Sequence, residues 1–234
     1  MFLTIMSESG TPRRALAEER ETIELDLLEM VNKAVTMFNL SVRSLNQLDR
    51  EMARNALSAD DEIDRLDLVI EERCLDVLAL QQPMGSDLRE IGTVLKIITD
   101  IERVGDLSVD IAKITLKVDR LMGRTDFVDL LKLTPVVTRM LTESAQMFSR
   151  KSAEGLELIA QLEDEVDDMY RDFRSQTHDF MIANPDQVVS ASWMLLALHH
   201  IERVADHALN IAERVVFMVT GEMRQIVPDD LEPA

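Results

Sequence analysis

Ile101-Glu102-Arg103-Val104-Gly105-Asp106-Leu107-Ser108-Val109-Asp110-Ile111-Ala112 returns as Ile201-Glu202-Arg203-Val204-Ala205-Asp206-His207-Ala208-Leu209-Asn210-Ile211-Ala212. Seven of the twelve positions are identical, and both copies keep a glutamate and an aspartate four residues apart. On a helix, residues four apart lie one above the other on one face. A duplicated helix that keeps its apolar positions is keeping a core. One that also keeps two adjacent acids is keeping something a core does not need.

The duplication spreads outward from this stretch. Asp60-Asp61-Glu62-Ile63-Asp64-Arg65-Leu66 matches Glu163-Asp164-Glu165-Val166-Asp167-Asp168-Met169, and Pro83 matches Pro185. Glycine and proline are sparse, 7 and 6 in 234 residues, so the chain has few places to break. Apolar spacing and these breaks predict helices over about 15–56, 59–82, 87–121, 133–152, 154–183 and 187–219. Asp87 with Glu90 resembles a capping box opening the third helix. Gly123 and Gly221 stand where caps would close the third and sixth, and residues 226–234 read as a frayed tail. The expected fold is all-α: two tandem, pseudo-symmetric three-helix bundles, six long helices in total, with halves at 15–122 and 126–221. Ile63, Leu66 and Ile70 form the seam of one half, and Val166, Met169 and Phe173 that of the other. Helices of about 30 residues run about 45 Å, so an elongated molecule is expected.

Charge narrows the functions. With 25 Lys+Arg against 44 Asp+Glu the net charge is −19, which repels nucleic acid and anionic membrane surfaces. Hydrophobic residues make up 46% of the chain, enough for a core. No apolar run approaches the ~20 residues of a membrane span, and the start of the chain lacks the pattern of a secretory signal. Met1 and Met6 are both candidate translation starts. Cys74 is the only cysteine, which excludes an intrachain disulfide and a thiolate metal cage. A cytoplasmic protein that does not insert into membranes or bind nucleic acid is expected; a monomer and a homodimer are both compatible with the sequence.

The acids form stripes. Glu102, Asp106 and Asp110 stack on one helix face, as do Glu202 and Asp206 with Asn210. Asp60 with Asp64, continued by Asp67 and Glu71, and Glu163 with Asp167 do the same on the preceding helices. The stripes border the apolar seams. Like charges four apart destabilise a helix by ~0.2–0.5 kcal/mol per pair, so the set asks for a compensating cation. Oxygen-only ligands suit Mg²⁺, Mn²⁺, Ca²⁺ or ferric iron. The competing reading is a solvated face, with Arg103 and Arg203 three residues before Asp106 and Asp206 as ion-pair partners. His199, His200 and His207 lie in or beside the second copy, but Thr99, Asp100 and Leu107 replace them in the first, so symmetry assigns them no shared role. The Glu-x-x-His pattern of a ferritin-type di-iron bundle is absent, since Gly105 and Ala205 stand in the histidine positions. No phosphate loop, serine elbow or Cys-x-x-Cys occurs, and catalysis has no positive support.

Taken together, Asp60-x-x-Ile63-Asp64, Leu78-Ala79-Leu80-Gln81-Gln82-Pro83-Met84-Gly85-Ser86-Asp87-Leu88-Arg89, and the two copies of the opening motif resemble the PhoU family of phosphate-transport regulators. The resemblance spans roughly residues 20–220. It implies multinuclear iron or zinc clusters on the paired acid motifs, here Asp60, Asp64, Glu102, Asp106 and Asp110 in one half, and Glu163, Asp167, Glu202 and Asp206 in the other. It also implies a non-enzymatic regulator that contacts a phosphate ABC transporter and its sensor histidine kinase. Asn210 and His200 stand where the first copy has Asp110 and Asp100, so the two sites are expected to differ in occupancy or metal. A metal-free helical scaffold and a carboxylate-bridged metalloenzyme are the alternatives.

Overall fold

The computed structural model describes residues 12–120 and 125–222. They form α1 (Pro12–Gln47), α2 (Arg50–Gln81), α3 (Ser86–Arg120), α4 (Leu133–Arg150), α5 (Leu156–Ala183) and α6 (Val188–Thr220), with short 3-10 turns at Leu130–Lys132 and Pro185–Gln187. The expected all-α architecture of two three-helix bundles is present. No helix among the described residues is long and apolar enough to cross a membrane. Gly123, the tail and the first residues, Met1 and Met6 included, lie outside the described residues.

The first turn falls earlier than the sequence pattern predicts. α1 stops at Gln47, not near residue 56, because Leu48 takes a left-handed conformation (φ 52°) and Asp49 caps the next helix. The Asp49 carboxylate accepts from the N–H groups of Glu51 and Met52, both at 2.9 Å. No glycine or proline marks this corner; a single capping acid does. At the second corner Gln82 is left-handed (φ 47°) and Gly85 likewise (φ 59°), with Pro83 buried between them. Asp87 and Glu90 do not make the expected capping box. Both instead receive Arg20 of α1, Asp87 Oδ1 from Nη1 at 2.7 Å and Glu90 Oε2 from Nη2. Gly221 does close α6, its N–H donating to Phe217 O at 2.8 Å.

The seams are buried as expected at Ile63, Leu66, Ile70, Val166 and Phe173, while Met169 is half-buried. The halves are not separate cores. One continuous apolar cluster runs through both, and its largest inter-helix contact joins α3 to α6. These two helices run antiparallel: Arg89 Nε donates to Met218 O at 3.3 Å, Asp100 meets His207 at 2.9 Å, and Lys117 Nζ sits 3.9 Å from the centre of the Trp193 ring. The two copies of the opening motif therefore lie side by side at the middle of the pair, head to tail. Ile101, Val104, Ser108, Ile201, Val204, Ala205 and Ala208 are buried there. The apolar part of the repeat is the surface by which the two halves join.

Candidate functional site

The acids lie in two matching grooves, one between α2 and α3, the other between α5 and α6. In the first, a side chain at Gly105 would meet Asp60 Oδ1 at 3.3 Å and Ile63 at 3.5 Å. The missing Cβ lets the α2 carboxylate approach α3 closely. Burial pushes the Asp60 carboxyl above its ordinary range, with Asp64 and Asp106 adding repulsion. Burial and Asp106 do the same for Glu102, where Asp67 and Asp64 also bear on it across the groove. Asp67 is itself raised by burial and by Glu71. Arg103 supplies a counter-charge, 2.7 Å from Asp106 and 3.4 Å from Glu102. Asp110 stands at the side of this group. Lys113 lies 3.4 Å from it, and its charge acts on His200 of α6.

The second groove is more enclosed. Glu163 is only 5% exposed, and burial with repulsion from Asp167, Asp164 and Asp206 pushes it up to about 7. Glu202 is also pushed up to about 7, by burial first and then by Asp206, Asp167 and Glu163. Its Oε2 is closed to solvent and has no hydrogen-bond partner. Asp206 is raised by burial and Asp167, and His207 opposes the shift.

All four pairs that the sequence singles out thus face one another as two acid grooves, Asp60 and Asp64 with Glu102 and Asp106, Glu163 and Asp167 with Glu202 and Asp206. As the side chains stand, no three His, Cys, Asp or Glu among the described residues converge closely enough to hold an ion. The histidines divide. His207 bridges to Asp100 between the halves, and His200 is buried. His199 lies over the second groove, its Nδ1 3.2 Å from Glu202 Oε2. Repeat symmetry gives it no role, because position 99 is threonine; the visible signal is its place three residues before Glu202 on one face. Cys74 is fully buried and its thiol pushed up to about 12 by burial, which suits packing and not nucleophilic chemistry.

The family profile described as "PhoU domain" matches residues 27–115 and 130–215, one match to each half. The chain belongs to the PhoU family. It is 30% identical over 223 residues to a protein from Synechocystis sp. named "Phosphate-specific transport system accessory protein PhoU homolog", covering 95% of this chain and 99% of that one. A protein of the same name from Rhizobium meliloti is 32% identical over 216 residues, covering 90% of each. The crystal structure of PhoU from Pseudomonas aeruginosa superposes with a TM-score of 0.83 at 29% identity, covering 88% of this chain and 99% of that one. The regulatory protein PhoU of the phosphate transport system from Streptococcus pneumoniae gives 0.82 at 26% identity, covering 90% and 100%. PhoU relatives therefore share this architecture along nearly its whole length.

Proposed function

We propose that this protein is a negative regulator of phosphate uptake and of phosphate-starvation signalling, a metal-binding adaptor that touches the phosphate ABC transporter and its sensor histidine kinase. What carries the reading is end-to-end similarity to proteins named as accessory to phosphate-specific transport. Its relatives are named as accessory proteins, which supports a role by binding rather than by turnover. An adaptor biases a partner only by preferring one of its states. A surface with a net charge of −19 favours basic patches and salt-sensitive association. Deleting the gene should raise phosphate uptake and kinase-dependent transcription in phosphate-replete cells; unchanged output would sink the regulatory reading.

The metal rests on the chemistry of the grooves. A carboxylate oxygen on Glu202, shut off from water, without a hydrogen bond and with the His199 ring as its one nearby counter-charge beside further carboxylates, is the observation that supports a cation there. Asp60, Asp64, Glu102 and Asp106 would hold ions in one groove, and Glu163, Asp167, Glu202 and Asp206 in the other, iron or zinc being the ions we favour. A bound ion supplies positive charge that ties each helix pair together. The solvated-face alternative draws on exposed Asp64 and on the Arg103–Asp106 pair. Elemental analysis of tag-free protein decides between them. Iron or zinc lowered by Glu102→Ala/Asp106→Ala supports the metal; background levels in both proteins support the solvated face.

A further inference from the structure

Both ends of the α3–α6 pair carry apolar side chains in water. At the α2–α3 corner Leu80 is 75% exposed and Met84 82%, and Leu88, on the first turn of α3, is exposed as well. At the α5–α6 corner Ile182 is 79% exposed and Val189 60%, and Leu196 follows Val189 two turns on along the same face of α6. Leu80 and Ile182 each stand three residues ahead of the proline of their corner, Pro83 and Pro185. Charge stays away from both places. Residues 77–86 and 187–198 carry none, in a chain where 29% of residues are charged, and an exposed aspartate, Asp76 or Asp186, precedes each run. One leucine left in water at a helix end is ordinary. The same feature at both corners of a duplicated fold is a surface that the core does not need. Because α3 and α6 run antiparallel and α3 spans 35 residues, the two corners lie about 50 Å apart.

Size and charge decide what such ends fit. Three apolar side chains fall far short of the roughly 20–30 residues a side of a stable interface, so one end alone holds weakly. Two ends on one body with a continuous core reinforce each other, because the first contact raises the effective concentration for the second. A second copy of this chain is a poor occupant: two bodies of charge −19 would meet over a patch too small to offset their repulsion. A partner with two-fold symmetry presents one pocket twice and so matches the pseudo-two-fold of the repeat. The uncharged corners call for an apolar pocket, and the aspartates beside them for Lys or Arg at its rim. We propose that the two corners form a bivalent docking surface, each seated in an apolar, basic-rimmed pocket on one half of a two-fold partner, and that this partner is the paired ATP-hydrolysing subunits of the transporter. The inference rests on the transporter contact proposed above and says where that contact is made. The acid motifs at Glu102–Asp106 and Glu202–Asp206, near mid-length of α3 and α6, stay clear of both ends.

The test measures binding of the full chain to the phosphate ABC transporter of the same genome, purified in lipid nanodiscs. One chain should bind per pair of ATP-hydrolysing subunits. Leu80→Ser/Met84→Ser and Ile182→Ser/Val189→Ser should each weaken binding by roughly 100-fold. Each should also let two chains bind per pair at high concentration, since every chain then holds by one end. Leu68→Ser, which removes another exposed leucine from the middle of α2, should leave affinity unchanged. All these side chains are exposed, so the melting temperature should stay the same in every variant. Unchanged affinity in both end variants, or a loss through one end alone, overturns the bivalent surface and leaves the transporter contact standing. No binding by any form of the chain overturns both.

Discussion

Glu163 and Glu202 are acids whose surroundings favour the proton. Their carboxyls move from the ordinary 4.5 to about 7, chiefly by burial. The folded chain therefore binds more protons than the unfolded one between these values, and stability without metal falls as pH rises from about 4.5 to about 7. Glu163→Gln keeps the shape and removes the charge. It should raise Tm at pH 8 and flatten the pH dependence of Tm in metal-free protein. An unchanged profile in thermal melts would show that Glu163 is solvated after all. A bound ion reverses the balance by stabilising the charged forms. Zn²⁺ affinity, measured by competition with a chelating dye, should therefore drop as pH falls below about 7, where the proton competes for the same oxygens. The acid rows were legible in the sequence because spacing of four on a helix is a geometric fact. The different depth of the two grooves was not: Glu163 and Asp60 occupy matching places in the repeat, and only packing makes one more buried than the other.

The corners show how much element boundaries depend on single caps. Ten of the twelve helix limits are close to what apolar spacing and proline breaks predict, but the α1–α2 turn shifts by a full nine residues, from 56 to Gln47. The apolar pattern runs through it without interruption, with Leu45, Ala53 and Ala56 all buried. What stops α1 is local: a left-handed Leu48 and the side chain of Asp49. Leu48 packs against the core, which compensates a conformation that a leucine ordinarily avoids. Asp49→Ala removes both accepted hydrogen bonds and should cost about 1 kcal/mol in urea unfolding. A change near zero would mean that the turn is set by packing alone. Asp87 and Glu90 carry the opposite lesson. Their spacing is that of a capping box, yet Arg20, 67 residues from Asp87, takes both carboxylates. A local pattern gives way when a distant cation lies closer.

At the scale of the molecule, the duplication declared two halves but not how they join. α3 and α6 lie antiparallel, and the two ends of that pair are fastened by different forces. At the end near the α2–α3 corner the ties are ionic: Glu90, 5% exposed, takes Arg20 and, at 2.9 Å, Lys151 from the other half, while Arg89 reaches Met218 O. The matching corner of the second half, residues 188–194, has no charged residue. There the Phe127 and Phe180 rings stack at 4.0 Å, and Trp193 lies under Lys117. Salt screens exposed and half-exposed charges but strengthens apolar contact. High salt should thus speed amide exchange at the last turn of α6 and around Lys151, and leave the segment around Phe180 and Trp193 unchanged or slower. Glu90→Ala should reproduce the first effect at low salt and cost about 2 kcal/mol, because it leaves Arg20 and Lys151 without their shared acid. Equal protection at both ends in all conditions would mean that apolar contact alone holds the halves together. If the ionic end alone responds, the joint between the halves yields first there, at the corner of Gln81, Gln82 and Pro83.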